Sequence, residues 1–349
     1  MPYKGILDRY GHLLDLPEYT QEIALLEGNT PLIPMSRLTR ELGAEAIYIK
    51  YEGLNPTGSF KDRGMTAAVS EAIGRGAETV ICASTGNTAA SAAAYAARAG
   101  LQAVVLIPEG KVAVGKLAGA IAYGAQVIQI EGSFDDALAM VVEITKTTPL
   151  ALVNSINPYR IEGQKSGAFE ICDVLGDAPD WHCLPVGNAG NITAYWAGYK
   201  QYADLKGTKR PRILGVQAAG SAPLVLGYPV ENPETVATAI RIGKPARGEQ
   251  ALQAVDESGG RIISQSDEKI LEAQRILASE GVWIEPASAA GLAGLKAEIE
   301  SDKFDPKGQK IVIVCTGHGM KDPAIIADSM SAPELIPAEM GALRELLGI

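Results

Sequence analysis

The sequence predicts an α/β fold made of two open, twisted, mostly parallel sheets flanked by helices. Three observations carry this expectation. Short β-branched runs alternate with segments of roughly 10–15 residues rich in Ala, Leu and Glu, the pattern of βαβ units. The runs are mostly apolar, as suits strands of a largely parallel sheet covered on both faces. The alternation is compact up to Pro149 and looser beyond it, and 349 residues suffice for about two domains.

In chain order the expected strands are AIYIK at 46–50, TVICA at 79–83, QAVVLI at 102–107, QVIQI at 126–130, HCLPV at 182–186, RILGVQ at 212–217 and KIVIVC at 310–315. Residues 55–149 read as one small α/β domain. The run at 46–50 precedes that block, so residues 1–54 are expected to join the series after 150. The large domain is then 1–54 plus 150–349. A cleft between two such domains is where a ligand is expected.

Composition narrows the function. Lys plus Arg number 31 and Asp plus Glu 41, giving a formal net charge of −10 and a pI near 5.0. With no basic cluster, the chain argues against nucleic acid or an anionic membrane as partner. The uncharged runs Thr79–Ala97 and Trp181–Tyr199 are long enough to span a bilayer but hold Ser, Thr, Asn and Gly residues. Lys4, Asp8 and Arg9 stand where a signal peptide needs an apolar core. A soluble, cytoplasmic protein is expected. Cys82, Cys172, Cys183 and Cys315 form no C-x-x-C pair, and a zinc site would need Cys172, His182 and Cys183 to converge. Buried thiols in a reducing compartment are expected instead, and no metal.

Five segments bear on chemistry. In NPTGSFKDRGM (55–65), Pro56 and Gly58 make a turn, Ser59 can cap, and a helix starts near Phe60. Lys61 then lies in the first turn, where the helix dipole disfavours a cation. Burial there would lower its pKa further and yield the neutral amine that Schiff-base chemistry needs. A solvated lysine balanced by Asp62 and Glu52 fits the segment equally well. In CASTGNTAAS (82–91), Ser84, Thr85, Asn87 and Thr88 gather hydroxyls, an amide and free N–H groups at a helix start, a pocket sized for a carboxylate. Capping by Ser84 or Thr88 would explain one of them. In PVGNAGN (185–191), Gly187, Asn188, Ala189, Gly190 and Asn191 link a strand to a helix and can cradle a phosphate. The spacing is not a dinucleotide fingerprint. GKVAVGKL (110–117) imitates a P-loop, but Leu117 cannot bind Mg²⁺. In CTGHGMKDP (315–323), Thr316 can point its hydroxyl into the cleft; His318 reads as a turn residue, since no G-x-S-x-G elbow accompanies it.

Together these segments resemble threonine synthase, a pyridoxal-phosphate enzyme of fold type II, the tryptophan-synthase-β-like group. The resemblance runs from EGNTPLIP (27–34) to GHGMKDP (317–323), and NPTGSFKDRGM is its most specific part. It implies pyridoxal phosphate in the interdomain cleft, attached to Lys61. Asn87 would lie beside the cofactor's 3′-oxygen, Gly187–Asn191 would hold its phosphate, and Thr316 would face the pyridine nitrogen. The implied substrate is O-phospho-L-homoserine. Ser84, Thr85, Asn87, Thr88, Ser155, Arg160 and Asn188 are its expected contacts, with Arg160 alternatively a surface residue before a helix. The resemblance also implies a homodimer. Serine/threonine dehydratases and O-acetylserine sulfhydrylases are similar, but usually carry a run of glycines for the phosphate and Ser at position 316. A non-catalytic cofactor-binding module is the alternative from another class.

Overall fold

The computed structural model describes residues 2–110, 114–327 and 333–349. The chain opens with α1 (Ile6–Tyr10), β1 (Leu32–Pro34), α2 (Ser36–Leu42) and β2 (Ala46–Tyr51). A regular block follows: α3 (Lys61–Gly74), β3 (Thr79–Ala83), α4 (Asn87–Ala99), β4 (Gln102–Pro108), α5 (Val114–Ala122), β5 (Gln126–Ile130), α6 (Phe134–Thr147) and β6 (Ala151–Leu152). The looser series contains α7 (Pro158–Leu175), β7 (Trp181–Pro185), α8 (Gly190–Lys206), β8 (Arg212–Ala218), α9 (Pro223–Leu226), α10 (Gly248–Glu257) and β9 (Arg261–Gln265). It closes with α11 (Asp267–Ser279), α12 (Pro286–Glu300), β10 (Lys310–Cys315), α13 (Ala324–Ala327) and α14 (Met340–Leu347).

Two sheets result, ordered β1-β2-β10-β7-β8-β9 and β5-β4-β3-β6. Among the described residues every pairing is parallel except β1 with β2. The fold is therefore the expected α/β one. All seven expected strands are present, with β7 beginning one residue early. Three others escape the pattern. β1 is a three-residue edge strand ending in Pro34, which an edge tolerates. β9 reads RIISQ, half-buried at every position, inside the loose connection. β6 is only two residues, too short for any periodicity; it pairs Ala151 with Val80 and Leu152 with Ile81. The four-stranded sheet thus extends past residue 150. The P-loop imitation lies partly outside the described residues.

Apolar clusters cover both faces of the six-stranded sheet, and separate ones pack the four-stranded sheet. The two halves meet where α3 crosses α7. Glycines permit this crossing: a Cβ on Gly64 would lie 2.6 Å from the Arg160 carbonyl oxygen, and one on Gly163 would collide with the Arg63 carbonyl. All four cysteines are buried free thiols, three on strands and Cys172 on α7. Among the described residues no helix is long and apolar enough to cross a membrane.

Candidate active site

Backbone hydrogen bonds lace three distant segments together at the start of α3. Phe60 N–H donates to Thr316 O at 2.9 Å, His318 N–H to Gly58 O at 2.9 Å, and Glu285 N–H to Gly317 O at 3.1 Å. Lys61, Thr316 and Glu285 are thereby brought to one place, the first more than 200 residues from the other two in the chain. Ser59 does not cap α3, contrary to expectation; its Oγ is buried with no partner among the described residues. Asp62 orders the turn instead. Its carboxylate accepts from Thr57 N at 2.7 Å, Thr57 Oγ1 at 2.6 Å and Ser91 Oγ at 2.6 Å, joining α3 to α4.

The next residue anchors α3 on the other side. Arg63 pairs with Glu52 at 2.6 Å and with Glu170 at 2.6 Å, and Lys50 joins Glu170 at 2.7 Å. All four are buried. Breaking such a network by removing one member leaves an uncompensated charge. Asp62 and Glu52, the anions that could have balanced a surface lysine, are therefore engaged elsewhere. Lys61 is half-buried, with its amine on a cavity wall. Burial first, then the Arg160 charge, bring its pKa down to about 7, with Glu285 opposing. A large fraction of this amine is neutral near pH 7.

The cavity has a volume of about 380 Å³. Its wall brings together Lys61, Ser84, Thr85, Asn87, Thr88, Ser155, Gly187, Asn188, Ala189, Gly190, Asn191 and Thr316. Ser84 is spent locally: its Oγ accepts from Gly86 N at 3.3 Å and Ala89 N at 3.2 Å. That leaves the N–H groups of Asn87 and Thr88 without partners among the described residues, at the positive end of α4, a place for an anion. At the other end, Ala189 adopts the left-handed conformation (φ 64°) immediately before α8. Left-handed backbone leading into a helix turns successive N–H groups into one concavity, a nest for phosphate oxygens. A Cβ on Gly187 would sit 3.1 Å from Ile240 Cα, so the close passage of the 238–242 segment calls for glycine there. Asn188 is held by Arg247 N–H on its carbonyl at 3.3 Å, and Ser155 by Arg247 Nε on its carbonyl at 3.1 Å.

Arg160 is the expected contact that the structure does not bring to this wall. It is enclosed between α3 and α7, with Nη1 donating to Val153 O at 2.7 Å. Its Nε and Nη2 have no partner among the described residues, and burial lowers its pKa to about 10. The tight α3–α7 crossing draws in a side chain that the sequence suggested would face the cleft or solvent. His318 is a turn residue, its Nδ1 accepting from Met320 N at 3.1 Å. Glu285, Lys321 and Arg241 line the cavity without having been expected. Glu285 had one signal: an acid directly before Pro286, the first residue of a helix built of Ala, Ser and Gly and buried along most of its length. Lys321 lies in the 315–323 segment already singled out, at the end of a short 3-10 turn, while Arg241 follows a short turn with no signal of its own.

A near-neutral amine, a nest of N–H groups and a hydroxyl lining one cavity suit an aldehyde that carries a ring and a phosphate. Similarity to known proteins agrees. Residues 23–317 match the family described as pyridoxal-phosphate dependent enzyme. The threonine synthase of Bacillus sp. is 57% identical over 94% of this chain and 93% of its own length. That of Mycobacterium tuberculosis is 53% identical over 100% and 97%, and that of Methanocaldococcus jannaschii 49% identical over 97% and 86%. Among solved structures, threonine deaminase isoform 2 from Solanum lycopersicum superposes with a TM-score of 0.74 at 24% identity, covering 94% of this chain and 89% of that one. Maize serine racemase gives 0.72 at 22%, covering 86% and 91%. These two share the fold alone. With the family's residues matched over most of the chain and threonine synthases more than half identical to it, the chain belongs to the pyridoxal-phosphate dependent enzymes and, among them, to the threonine synthases.

Proposed function

We propose that this cavity converts O-phospho-L-homoserine and water to L-threonine and phosphate, with pyridoxal phosphate as cofactor. The observation that carries the reading is that Lys61, its amine held near neutrality, lines one cavity with the Gly187–Asn191 nest and with Asn87 and Thr316. Lys61 would hold the cofactor's aldehyde carbon, the nest its phosphate, and Asn87 and Thr316 the polar edge of its ring. Bound there, the cofactor supplies a conjugated electron sink for carbanions next to an amino group.

The chain's own groups account for the rest. The Asn87 and Thr88 N–H groups, with the Thr85 and Thr88 hydroxyls, bind and orient the substrate carboxylate. Once free, the Lys61 amine takes the proton from Cα and moves protons at Cβ. Its lowered pKa lets it accept and return a proton near pH 7. Ser155 and Asn188 border the nest and are the proposed contacts of the departing phosphate. Arg160 remains a proposed contributor, its positive charge close beneath the wall and two of its nitrogens without partners among the described residues. Thr316 is a neutral partner for a ring nitrogen; a carboxylate there would hold that nitrogen protonated and deepen the sink toward other outcomes.

The sheets support a division into a small unit around β3–β6 and a large unit around β1, β2 and β7–β10, with the return to the large unit after β6. A cytoplasmic homodimer completes the reading. The test is turnover: purified chain with pyridoxal phosphate should release phosphate and threonine from O-phospho-L-homoserine. Formation of 2-oxobutanoate from threonine without phosphohomoserine turnover would make it a dehydratase. Cofactor binding with neither activity would leave a carrier.

A further inference from the structure

Among the described residues Glu285 is the one carboxyl on the cavity wall, and it is buried. It occupies the residue before α12 but does not cap that helix. Its two oxygens accept instead from Asn87 Nδ2, at 3.2 and 3.1 Å. Thr316 Oγ1 lies 3.4 Å from Oε1. Asn87 and Thr316 are the two side chains assigned to the cofactor ring, and Glu285 touches both. The site is shaped for this carboxyl: a Cβ on Gly317 would fall 2.5 Å from Oε1.

The surrounding hydrogen bonds restrict where each proton can go. Ser288 Oγ accepts from Gly317 N–H at 2.9 Å; its own proton has two acceptors, Thr316 Oγ1 at 2.8 Å and the Gly317 carbonyl oxygen at 3.3 Å, and the first is the shorter. If Glu285 is ionised, it accepts the Thr316 proton, and the cavity meets only oxygen lone pairs. If Glu285 carries a proton, it donates to Thr316. With the shorter Ser288 bond also made, both Thr316 lone pairs are filled, by Ser288 and Glu285, and the Thr316 proton is left to point into the cavity. The charged groups facing Glu285 are Lys61, Lys321 and Asp322, and among the described residues neither lysine is within ion-pair distance of it. Lys321 Nζ is committed to Thr57 O at 3.0 Å. Burial raises the Glu285 pKa, the Asn87 hydrogen bond and Lys321 opposing.

We propose that Glu285 occupies this site as the protonated acid and acts as a positioning residue, turning the Thr316 hydroxyl proton toward the cofactor ring while fixing the Asn87 amide. The proposal rests on the cofactor reading of the cavity and concerns binding before any substrate arrives.

The experiment compares Glu285→Gln, Glu285→Ala and Thr316→Val, each in the full chain, by the dissociation constant for pyridoxal phosphate and the absorption maximum of the bound cofactor. Gln reproduces the protonated acid, with an N–H for Thr316 and a carbonyl for Asn87. It should stay within about threefold of wild type with an unmoved maximum. Ala loses both contacts and should weaken binding at least about tenfold, with a shifted maximum. In the Thr316→Val background, Glu285→Ala should cost markedly less, because the pair is coupled. Gln as damaging as Ala would show that the anion is required and overturn the proposal. So would an Ala variant with unchanged binding and spectrum, or an Ala effect undiminished in the Thr316→Val background. If Glu285→Ala does not fold, the Glu285→Gln and Thr316→Val variants alone still decide. Phosphohomoserine turnover by wild type, assayed separately, reports on the proposed reaction and not on Glu285.

Discussion

Gly64→Ala sets two physical effects against each other, and the structure decides between them. Gly64 lies inside α3, where replacing glycine by alanine ordinarily stabilises by about 1 kcal/mol through helix propensity. Packing acts the other way. The new Cβ would lie 2.6 Å from the Arg160 carbonyl oxygen, 2.7 Å from Arg160 Nε and 2.9 Å from Gln164 Nε2. Ordinary contact begins at 3.4 Å, so α3 and α7 must part by about 0.8 Å. The nearest atom is backbone, which cannot rotate away. Overpacking of this kind costs about 1–3 kcal/mol. The same movement strains the Arg63 pairs with Glu52 and Glu170, both at 2.6 Å. Lys61 sits three residues upstream, and a reacting group tolerates only about 0.5 Å of displacement. The variant should therefore unfold at a lower temperature than wild type and lose both cofactor affinity and turnover. Gly119→Ala is the control, because its Cβ would meet Ala90 Cβ at an ordinary 3.4 Å and propensity should prevail. Thermal unfolding and pyridoxal-phosphate titration of both variants form the assay. A Gly64→Ala protein that gains stability as the control does, and keeps its cofactor, would refute the reasoning.

Other outcomes follow from the same contacts. Lys61→Ala should abolish the visible absorption of bound cofactor and threonine formation while leaving circular dichroism and unfolding near wild type; substantial turnover by the pure variant would remove Lys61 from its role. Arg160→Leu removes a positive charge behind the wall, and should lower kcat/KM for O-phospho-L-homoserine by less than the one to two decades that a direct charge-assisted bond of about 1.5–3 kcal/mol is worth, with a smaller effect on cofactor binding. Equal losses would assign Arg160 to the cofactor's phosphate or to the fold, and no change would leave it without a role at the site. His182 is buried, with Nδ1 on Tyr199 at 2.9 Å, Nε2 without a partner among the described residues and a pKa lowered to about 3 by burial. Its neutral form is favoured by folding, so its contribution is full above the unfolded pKa of about 6.5 and falls as pH drops toward about 3, by up to about 1.4 kcal/mol per pH unit. Urea unfolding at pH 7 and pH 5 should show a steeper loss for wild type than for His182→Gln; identical slopes would count against it.

Much of this molecule is local and therefore legible in its sequence. Seven strands announce themselves as β-branched runs, most of them because a strand buried on both faces admits little else; β5 is an exposed edge that keeps the same pattern. The cofactor loop is legible for a similar reason: only small residues let a turn of free N–H groups approach a phosphate, so Gly187–Asn191 stands out from any helix or strand pattern. Lys61 is half legible. Its unfavourable place at a helix start is visible in the sequence, but whether Asp62 and Glu52 balance it is not. That depends on Thr57, Ser91 and Arg63 claiming those carboxylates first. The rest was decided in three dimensions. β6 is too short to carry a pattern and exists because β3 offers it an edge. Ser59 follows a turn as a cap would, yet the pairing of 58–60 with 316–318 takes its backbone and leaves its hydroxyl unused. Arg160 stands in the first turn of α7, where many arginines are exposed, and is enclosed because glycines at 64 and 163 let two helices close over it. Glu285 becomes part of the site only through bonds to residues 198 and 31 positions away. The chemistry of a buried carboxyl is set by which donors fold against it, and sequence spacing holds no record of those neighbours.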